Sequence, residues 1–119
     1  MSREVKFAVA YGMLIILLSS IPGNNFPDLK LFSQDKLIHL IEYGIFAFLV
    51  RRAVLSELNQ FGPALVLTLI IGICYGGLDE LYQGLIPGRL SSLYDWYADA
   101  AGVALGGLTS VIWTLRNAD

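Results

Sequence analysis

The chain has 119 residues, of which 55% are hydrophobic and only 15% are charged. This composition, with a mean hydropathy of +0.62, fits one small domain and is too apolar for an ordinary soluble fold. The net charge is −2 and the Lys and Arg residues are scattered, so the chain lacks the basic surface that nucleic-acid binding requires.

Four apolar segments of about the length needed to span a bilayer follow one another along the chain. They cover residues 5–21, 37–52, 61–83 and 96–115. Pro22 and Gly23 break the chain after the first segment, and Pro63 opens the third. Trp96 and Trp113 flank the fourth, as in the aromatic belts of membrane helices. We therefore predict an all-α fold, an integral membrane four-helix bundle that forms a single domain over the whole chain.

Two other interpretations of these segments stay open. The first segment could be a cleaved signal peptide, because a basic start and an apolar run precede Ser19 and Ser20, although no clean A-x-A-like site follows. A soluble all-helical protein with unusually buried helices is the other interpretation. Four near-span lengths in so short a chain favour the membrane bundle with a retained first helix.

The distribution of Lys and Arg predicts the orientation of the bundle. With the N-terminus inside, five basic residues lie on the cytoplasmic side and three on the outer side. The inner set is Arg3, Lys6, Arg51, Arg52 and Arg116, and the outer set is Lys30, Lys36 and Arg89. This positive-inside bias predicts that both termini are cytoplasmic.

Polar side chains follow one face of the predicted second helix. Since each helical residue turns by about 100°, several of them fall within an arc of roughly 120°. They are Asp35, Lys36, His39, Glu42 and Tyr43. Glu42 lies about 9 Å deeper along the helix than Lys36, and an ionised side chain deep in a bilayer costs about 2.5–3.5 kcal/mol without partners. We expect this face to point into the bundle.

Partners for this face are predicted at the same membrane surface, because the second and third segments form a hairpin. The end of the third segment, the following loop and the start of the fourth contribute Asp79, Glu80, Gln83, Arg89, Ser91, Ser92, Asp95 and Asp99. Such an acid-rich site either retains protons or recruits a cation. His39 and Glu42 at i and i+3 could supply two ligands to a divalent cation, which stays an open cofactor. The alternative to a functional site is that these residues lie at the membrane interface, where their side chains snorkel toward water or pair with one another.

Small residues continue the polar faces deeper into the bundle. Gly72 and Gly76 share one face of the third segment, and Gly102 and Gly106 share one face of the fourth, so we expect these two helices to pack closely there. Cys74 is the single cysteine, which excludes an internal disulfide, and we predict that it is a small buried hydrophobe.

Catalytic motifs are weak in this sequence. It contains no H-E-x-x-H, no G-x-S-x-G and no P-loop. We predict that Ser91 and Ser92 lie in a turn and that their hydroxyls cap the next helix, in preference to a role as nucleophiles. An acid–base pair of His39 with Glu42 or Glu80 is chemically feasible. Whether the protein is an enzyme therefore stays open.

Two segments, "DKLIHLIEYG" and "YGGLDELYQGLIPGRLSSLYDWYADAAGVALG", resemble the core of VanZ-like membrane proteins from about Asp35 to Gly106. The resemblance places a set of residues on the motif positions of that family: Asp35, Lys36, His39, Glu42, Tyr43, Asp79, Glu80, Gln83, Arg89, Ser92 and Asp95. Asp99 departs from the family, which usually has Asn there. The founding member is associated with low-level resistance to the glycopeptide teicoplanin.

The resemblance and the polar residues together imply a multi-pass protein of the bacterial plasma (inner) membrane with an outward-facing polar pocket. The pocket is expected to bind a cell-envelope lipid or peptidoglycan precursor, with a link to glycopeptide resistance. The alternative is an intramembrane hydrolase or transferase that uses the same carboxylates and His39. A third interpretation is a structural or transport subunit. The expected partners are membrane lipids, a lipid-linked cell-wall precursor or glycopeptide, and a second copy of the chain, with no nucleic acid.

Overall fold

The computed structural model describes residues 1–22, 32–89 and 91–118, and for residues 32–35 it describes the backbone alone. The chain forms four helices: α1 (Arg3–Ser19), α2 (Phe32–Leu58), α3 (Phe61–Gln83) and α4 (Leu93–Arg116). The described residues contain no strand. The predicted all-α, four-helix fold is confirmed. Asp35 lies in α2, but its side chain, and with it its predicted role, falls outside the described residues.

The second helix is longer than the segment predicted from hydropathy. It has 27 residues, which at 1.5 Å per residue is about 40 Å, longer than the ~30 Å hydrocarbon core of a bilayer. Hydropathy placed its end at Arg51 and Arg52, yet Arg is a good helix former and the helix continues to Leu58. It ends where Asn59 adopts a left-handed backbone with φ of 54°.

Serine side chains cap the N-termini of two of the helices. The Ser2 hydroxyl accepts a hydrogen bond from the Val5 N–H at 3.2 Å at the start of α1. The Ser92 hydroxyl accepts one from the Tyr94 N–H at 3.1 Å at the start of α4. Such caps satisfy N–H groups that have no partner inside the helix. The capping role predicted for the "PGRLSS" turn is thus confirmed for Ser92.

The helix α2 occupies the centre of the bundle. It packs most extensively against α4 and also against α3 and α1, whereas α1 and α3 barely touch. The buried apolar core lies along its inner face and comprises Ala8, Ile15, Tyr43, Phe46, Ala47, Val50, Ala53 and Val103. This arrangement leaves a groove between α1 and α3 and places the inner face of α2 in contact with all three other helices.

The outer surface of the bundle is apolar. Leu37, Ile38, Ile41 and Ile45 on the outer face of α2 are each about half exposed. By length and composition α3 and α4 can each cross a membrane, and only 22% and 33% of their apolar windows are buried inside the protein. Exposed apolar helix faces of this extent fit a lipid environment and not water. Two of the four predicted spans therefore meet the length and composition criteria for a membrane helix.

The helices α2 and α4 approach each other through backbone contact. A Cβ atom on Gly106 would lie 2.7 Å from the carbonyl carbon of Gly44, and one on Gly102 would lie 3.0 Å from that of Leu40. Both glycines were expected to face α3. Their faces were predicted correctly from periodicity, but the helix opposite them is α2.

The glycines of α3 do face α4, as expected. A Cβ on Gly72 would meet the Val103 side chain at 2.7 Å, and one on Gly76 would lie 3.1 Å from Asp99 Cβ. Cys74, which was predicted to be buried, is exposed on α3. That prediction was wrong because an apolar residue in a membrane helix can face lipid as readily as the protein interior.

Candidate functional site

A buried polar cluster lies at one end of the bundle, where the first half of α2 meets the end of α3 and the start of α4. We define it as Lys36, His39, Tyr43, Asp79, Glu80, Gln83, Asp95 and Asp99. Lys36 is partly exposed. Of the remaining members His39 is the most exposed, at 8% of its surface, and Asp99 is completely buried. Burying so many polar groups is costly unless they pair with one another or with a ligand.

His39 lies at the centre of the polar cluster, and carboxylate groups lie near both of its ring nitrogens. Its Nδ1 is 2.9 Å from Asp99 Oδ1 and 3.8 Å from Glu80 Oε1. Its Nε2 is 3.7 Å from Asp95 Oδ2, and the other oxygen of Asp95 pairs with the Lys36 ammonium. One imidazole thus connects residues of α2, α3 and α4.

A second set of contacts holds Asp79. The Tyr43 hydroxyl donates to Asp79 Oδ2 at 2.9 Å, and Gln83 Nε2 lies 3.3 Å from the same oxygen. Gln83 Nε2 also lies 3.4 Å from the hydroxyl of Ser19, which brings the end of α1 to the polar cluster. Glu80 Oε2 accepts a hydrogen bond from the Ser92 N–H at 3.1 Å, which ties α3 to the start of α4.

Three buried carboxylate oxygens in the polar cluster have no hydrogen-bond partner within the described part of the chain. They are Asp79 Oδ1, Glu80 Oε1 and Asp99 Oδ2. In each case the other oxygen of the same carboxylate accepts or shares a hydrogen bond. Buried polar atoms are nearly always satisfied in folded proteins, so these oxygens point to a bound group, a proton or a water.

The other predicted site residues lie around the polar cluster. Glu42 is half-buried, and no hydrogen bond ties its side chain to the described residues. Arg89 donates from Nε to the carbonyl of Ile21 at 3.0 Å and from Nη2 to that of Leu18 at 2.6 Å. A cation at the last carbonyls of a helix is favourable, so Arg89 closes the end of α1.

Sequence reasoning missed the contribution of α1 to this end of the bundle. Besides the contact of Ser19, the Ser20 and Tyr82 hydroxyls lie 2.6 Å apart. Two adjacent serines at the end of an apolar helix, at the same membrane surface as the acidic residues, were the available signal. They were considered instead as part of a signal-peptide cleavage region.

Sequence reasoning also missed a buried arginine at the opposite end of the bundle. Arg51 is completely buried, and its Nη1 donates to Ser110 Oγ at 3.2 Å and to Thr114 Oγ1 at 2.9 Å. Its guanidinium lies 4.7 Å above the centre of the Phe61 ring. Two hydroxyl groups of α4 and the Phe61 ring thus surround the charge of Arg51, whereas the hydropathy pattern predicted that Arg51 lies at the membrane surface.

An apolar groove of about 500 Å³ lies between α1, α2 and α3. Its lining is formed by Val5, Ala8, Val9, Gly12, Phe46, Val50, Ala53, Val54, Glu57, Leu58, Leu67, Ile71 and Tyr75. Near one end the Tyr75 hydroxyl donates to the Gly12 carbonyl at 2.6 Å. There Phe46 packs edge-on against Tyr43, with ring centroids 6.0 Å apart. The apolar groove and the polar cluster are therefore separated by one layer of aromatic side chains.

A second cavity of about 310 Å³ lies between α2 and α4 and is lined mainly by Leu40, Ile41, Ile45, Phe48 and Leu105. Neither of these two cavities is lined by a residue of the polar cluster. The outward-facing polar pocket expected from the sequence stays a prediction.

Comparison with known proteins assigns the chain to a family. The family model described as VanZ/LLP1 matches residues 4–114, which is nearly the whole chain. A search of curated proteins found no match, and a search of solved structures found none either. The resemblance inferred from the two polar segments is confirmed. The chain belongs to the VanZ/LLP1 family.

Proposed function

We propose that the protein is a multi-pass protein of the bacterial plasma membrane that binds an envelope lipid. The polar cluster would receive the polar head group, for example that of a lipid-linked peptidoglycan precursor, and both termini would be cytoplasmic. The link to teicoplanin resistance comes from the name of the family alone. Sequestering a precursor lipid is one way in which such a protein would reduce the access of a glycopeptide drug.

The observation that carries the proposal is that only one layer of aromatic side chains, Tyr43 and Phe46, separates the apolar groove from the polar cluster. A lipid presents the same juxtaposition of a hydrocarbon chain and a polar head. Along α2 the groove extends from Phe46 to Glu57, about 16 Å at the helical rise, or roughly half of a 30 Å hydrocarbon core. The groove begins about 15 Å deeper along α2 than Lys36, so a chain whose head lies in the polar cluster must be longer than one leaflet to reach its far end.

The chemistry of the polar cluster suits a head group rich in hydroxyls or amines. The orphaned oxygens of Asp79, Glu80 and Asp99 are acceptors, and sugar hydroxyls and amines are donors. Lys36 and Arg89 supply positive charge at the same end of the bundle, where an anionic phosphate would be attracted. The two halves of a glycolipid or prenyl phosphate would thus each find complementary surface.

Native mass spectrometry of the protein released from bacterial membranes tests this proposal. We expect a defined lipid to co-purify with wild type and to be reduced in Glu80→Gln, because the amide replaces an acceptor oxygen with a donor. Val9→Trp should also reduce the lipid, since Val9 lines the apolar groove and is 48% exposed. Met13→Trp is the matched control, because Met13 lies on the same helix outside the groove and is 63% exposed. Equal lipid content in all four proteins would contradict the proposal.

An intramembrane hydrolase or transferase is the second candidate, and one contact favours it. His39 Nδ1 lies 2.9 Å from Asp99 Oδ1, the pairing that orients a histidine as a general base. If the protein is an enzyme, Asp99→Asn should lower the conversion of added lipid by far more than it lowers the amount of lipid bound. Absence of any conversion by wild type over a long incubation would count against this candidate and leave lipid binding.

A further inference from the structure

We propose that His39, Glu80 and Asp99 form a binding site for a divalent transition-metal cation. The three residues come from α2, α3 and α4, and one potential ligand atom from each lies within 4.8 Å of the others. All three side chains are buried. A cation held by three helices would fix their relative positions at this end of the bundle.

The spacing of the donor atoms suits a metal. Ligand atoms at about 2.1 Å from a tetrahedral ion lie roughly 3.4 Å from each other. In the structure His39 Nδ1 is 3.8 Å from Glu80 Oε1 and 2.9 Å from Asp99 Oδ1. These two distances lie on either side of that spacing, and all three donor atoms lie within 4.8 Å of one another, so side-chain shifts of about 1 Å would complete the coordination.

One orphaned oxygen is an independent indication of a ligand. Glu80 is 4% exposed, yet its Oε1, one of the three proposed ligand atoms, lacks a hydrogen-bond partner in the described residues. Glu80 is oriented by the Ser92 N–H, which holds its other oxygen and leaves Oε1 near the imidazole. Two ionised carboxylates and a neutral imidazole would balance the charge of a divalent cation, which removes the cost of burying unpaired anions.

Asp95 supplies the support that a metal-bound histidine normally has. Such a histidine usually donates its second ring N–H to a carboxylate, which fixes the orientation of the ring. Asp95 Oδ2 lies 3.7 Å from His39 Nε2, and the Lys36 pair holds the other oxygen of the same carboxylate. A small rotation of His39 toward Asp95 would form this hydrogen bond.

The donor set indicates the class of metal. One imidazole nitrogen with two carboxylate oxygens suits Zn²⁺, Mn²⁺ or Fe²⁺, whereas Mg²⁺ and Ca²⁺ prefer oxygen donors throughout. Three protein ligands leave a coordination position open. That the open position receives the phosphate of a lipid is the part of the inference that rests on the proposed function. Metal binding itself rests on the three side chains.

Metal analysis of the purified protein tests the site. The protein would be stripped with a chelator, dialysed against Zn²⁺ or Mn²⁺ and measured by inductively coupled plasma mass spectrometry. We expect about one equivalent in wild type, with at least tenfold weaker binding in His39→Gln, Glu80→Gln and Asp99→Asn. Asp79→Asn is the matched control, since Asp79 has an orphaned oxygen in the same polar cluster but is not one of the three ligands. It should bind the metal far more tightly than the three ligand variants do.

Two further readouts separate a lost ligand from a lost fold. Added metal should raise the midpoint of thermal unfolding in wild type and Asp79→Asn, because a ligand of the folded state stabilises it, and should leave the ligand variants unchanged. Bound Co²⁺ should give visible absorption bands in wild type that Asp99→Asn alters. Wild type that binds less than a tenth of an equivalent, or equal loss in Asp79→Asn, would overturn the metal site.

The lipid experiment distinguishes the two proposals. Lipid that stays bound to chelator-treated protein, together with no metal binding, refutes the metal site alone. Metal binding by wild type with no co-purified lipid refutes the lipid proposal alone.

Discussion

The contact between α2 and α4 makes Gly106→Ala the most informative test of the packing. A Cβ on Gly106 would lie 2.7 Å from the carbonyl carbon and 2.9 Å from the Cα of Gly44. Carbon atoms pack best at about 3.5–4.0 Å, so the two helices must separate by roughly 1 Å. The obstacle is backbone, which cannot change rotamer. The expected effect is a loss of the close backbone contact between α2 and α4.

The magnitude follows from two opposing effects. Overpacking a well-packed interior costs about 1–3 kcal/mol, and a backbone obstacle places Gly106→Ala near the upper end. Replacing glycine by alanine within a helix recovers about 1 kcal/mol. We therefore expect a net destabilisation of about 2 kcal/mol.

The neighbouring glycine provides a matched control. A Cβ on Gly107 would meet Leu65 Cδ1 at 3.2 Å and Leu69 Cδ2 at 3.9 Å, and the end of a leucine side chain can move. Gly107→Ala should leave stability unchanged or raise it by up to about 1 kcal/mol. Equilibrium unfolding in detergent micelles with increasing dodecyl sulfate, followed by circular dichroism, measures both variants. Equal stability of Gly106→Ala and Gly107→Ala would refute the close approach of α2 and α4.

Three more predictions concern other contacts. Thr114→Val should destabilise the protein by about 2 kcal/mol in the same assay, because the buried Arg51 loses a hydrogen-bond acceptor, whereas Thr109→Val at an exposed site should cost less than about 0.5 kcal/mol. Ser92→Ala should lower the free energy of unfolding by about 1 kcal/mol because it removes the cap of α4. Ser91→Ala removes no cap and should leave stability unchanged, so equal effects of the two variants would argue against the cap. Cys74 is exposed on α3, so a water-soluble maleimide should fail to label it in intact membranes but should label it after denaturation; rapid labelling in membranes would place that face of α3 in water.

Helical periodicity was sufficient to predict much of the polar cluster. The arc of α2 that carries His39 and Tyr43 does face the bundle, and Asp79 and Asp99 meet it there. A 100° turn per residue determines which side chains share a face. The short link between α2 and α3 then determines which helix ends lie together. Both quantities are local, so they can be read from one sequence.

One sequence could not predict which helix packs against a given helix face. Periodicity identified the small face of Gly102 and Gly106 but assigned it to α3, because nothing in a single sequence names the neighbour. Arg51 was placed at the membrane surface because its partners, Ser110 and Thr114, lie some sixty residues away on α4. Non-local pairing of this kind is decided by the packing of the whole bundle.

The backbone contact of α2 with α4 also acts as a spacer for the polar cluster. Leu40, next to His39, meets Gly102, which lies one turn beyond Asp99. The spacing of the α2 and α4 backbones that carry His39 and Asp99 is therefore set by main-chain atoms, which have no alternative rotamers. Stretching or thinning of the surrounding bilayer would tilt α2 and α4 together as one unit. The backbone positions that carry the 2.9 Å contact between His39 and Asp99 would then keep their spacing when the membrane thickness changes.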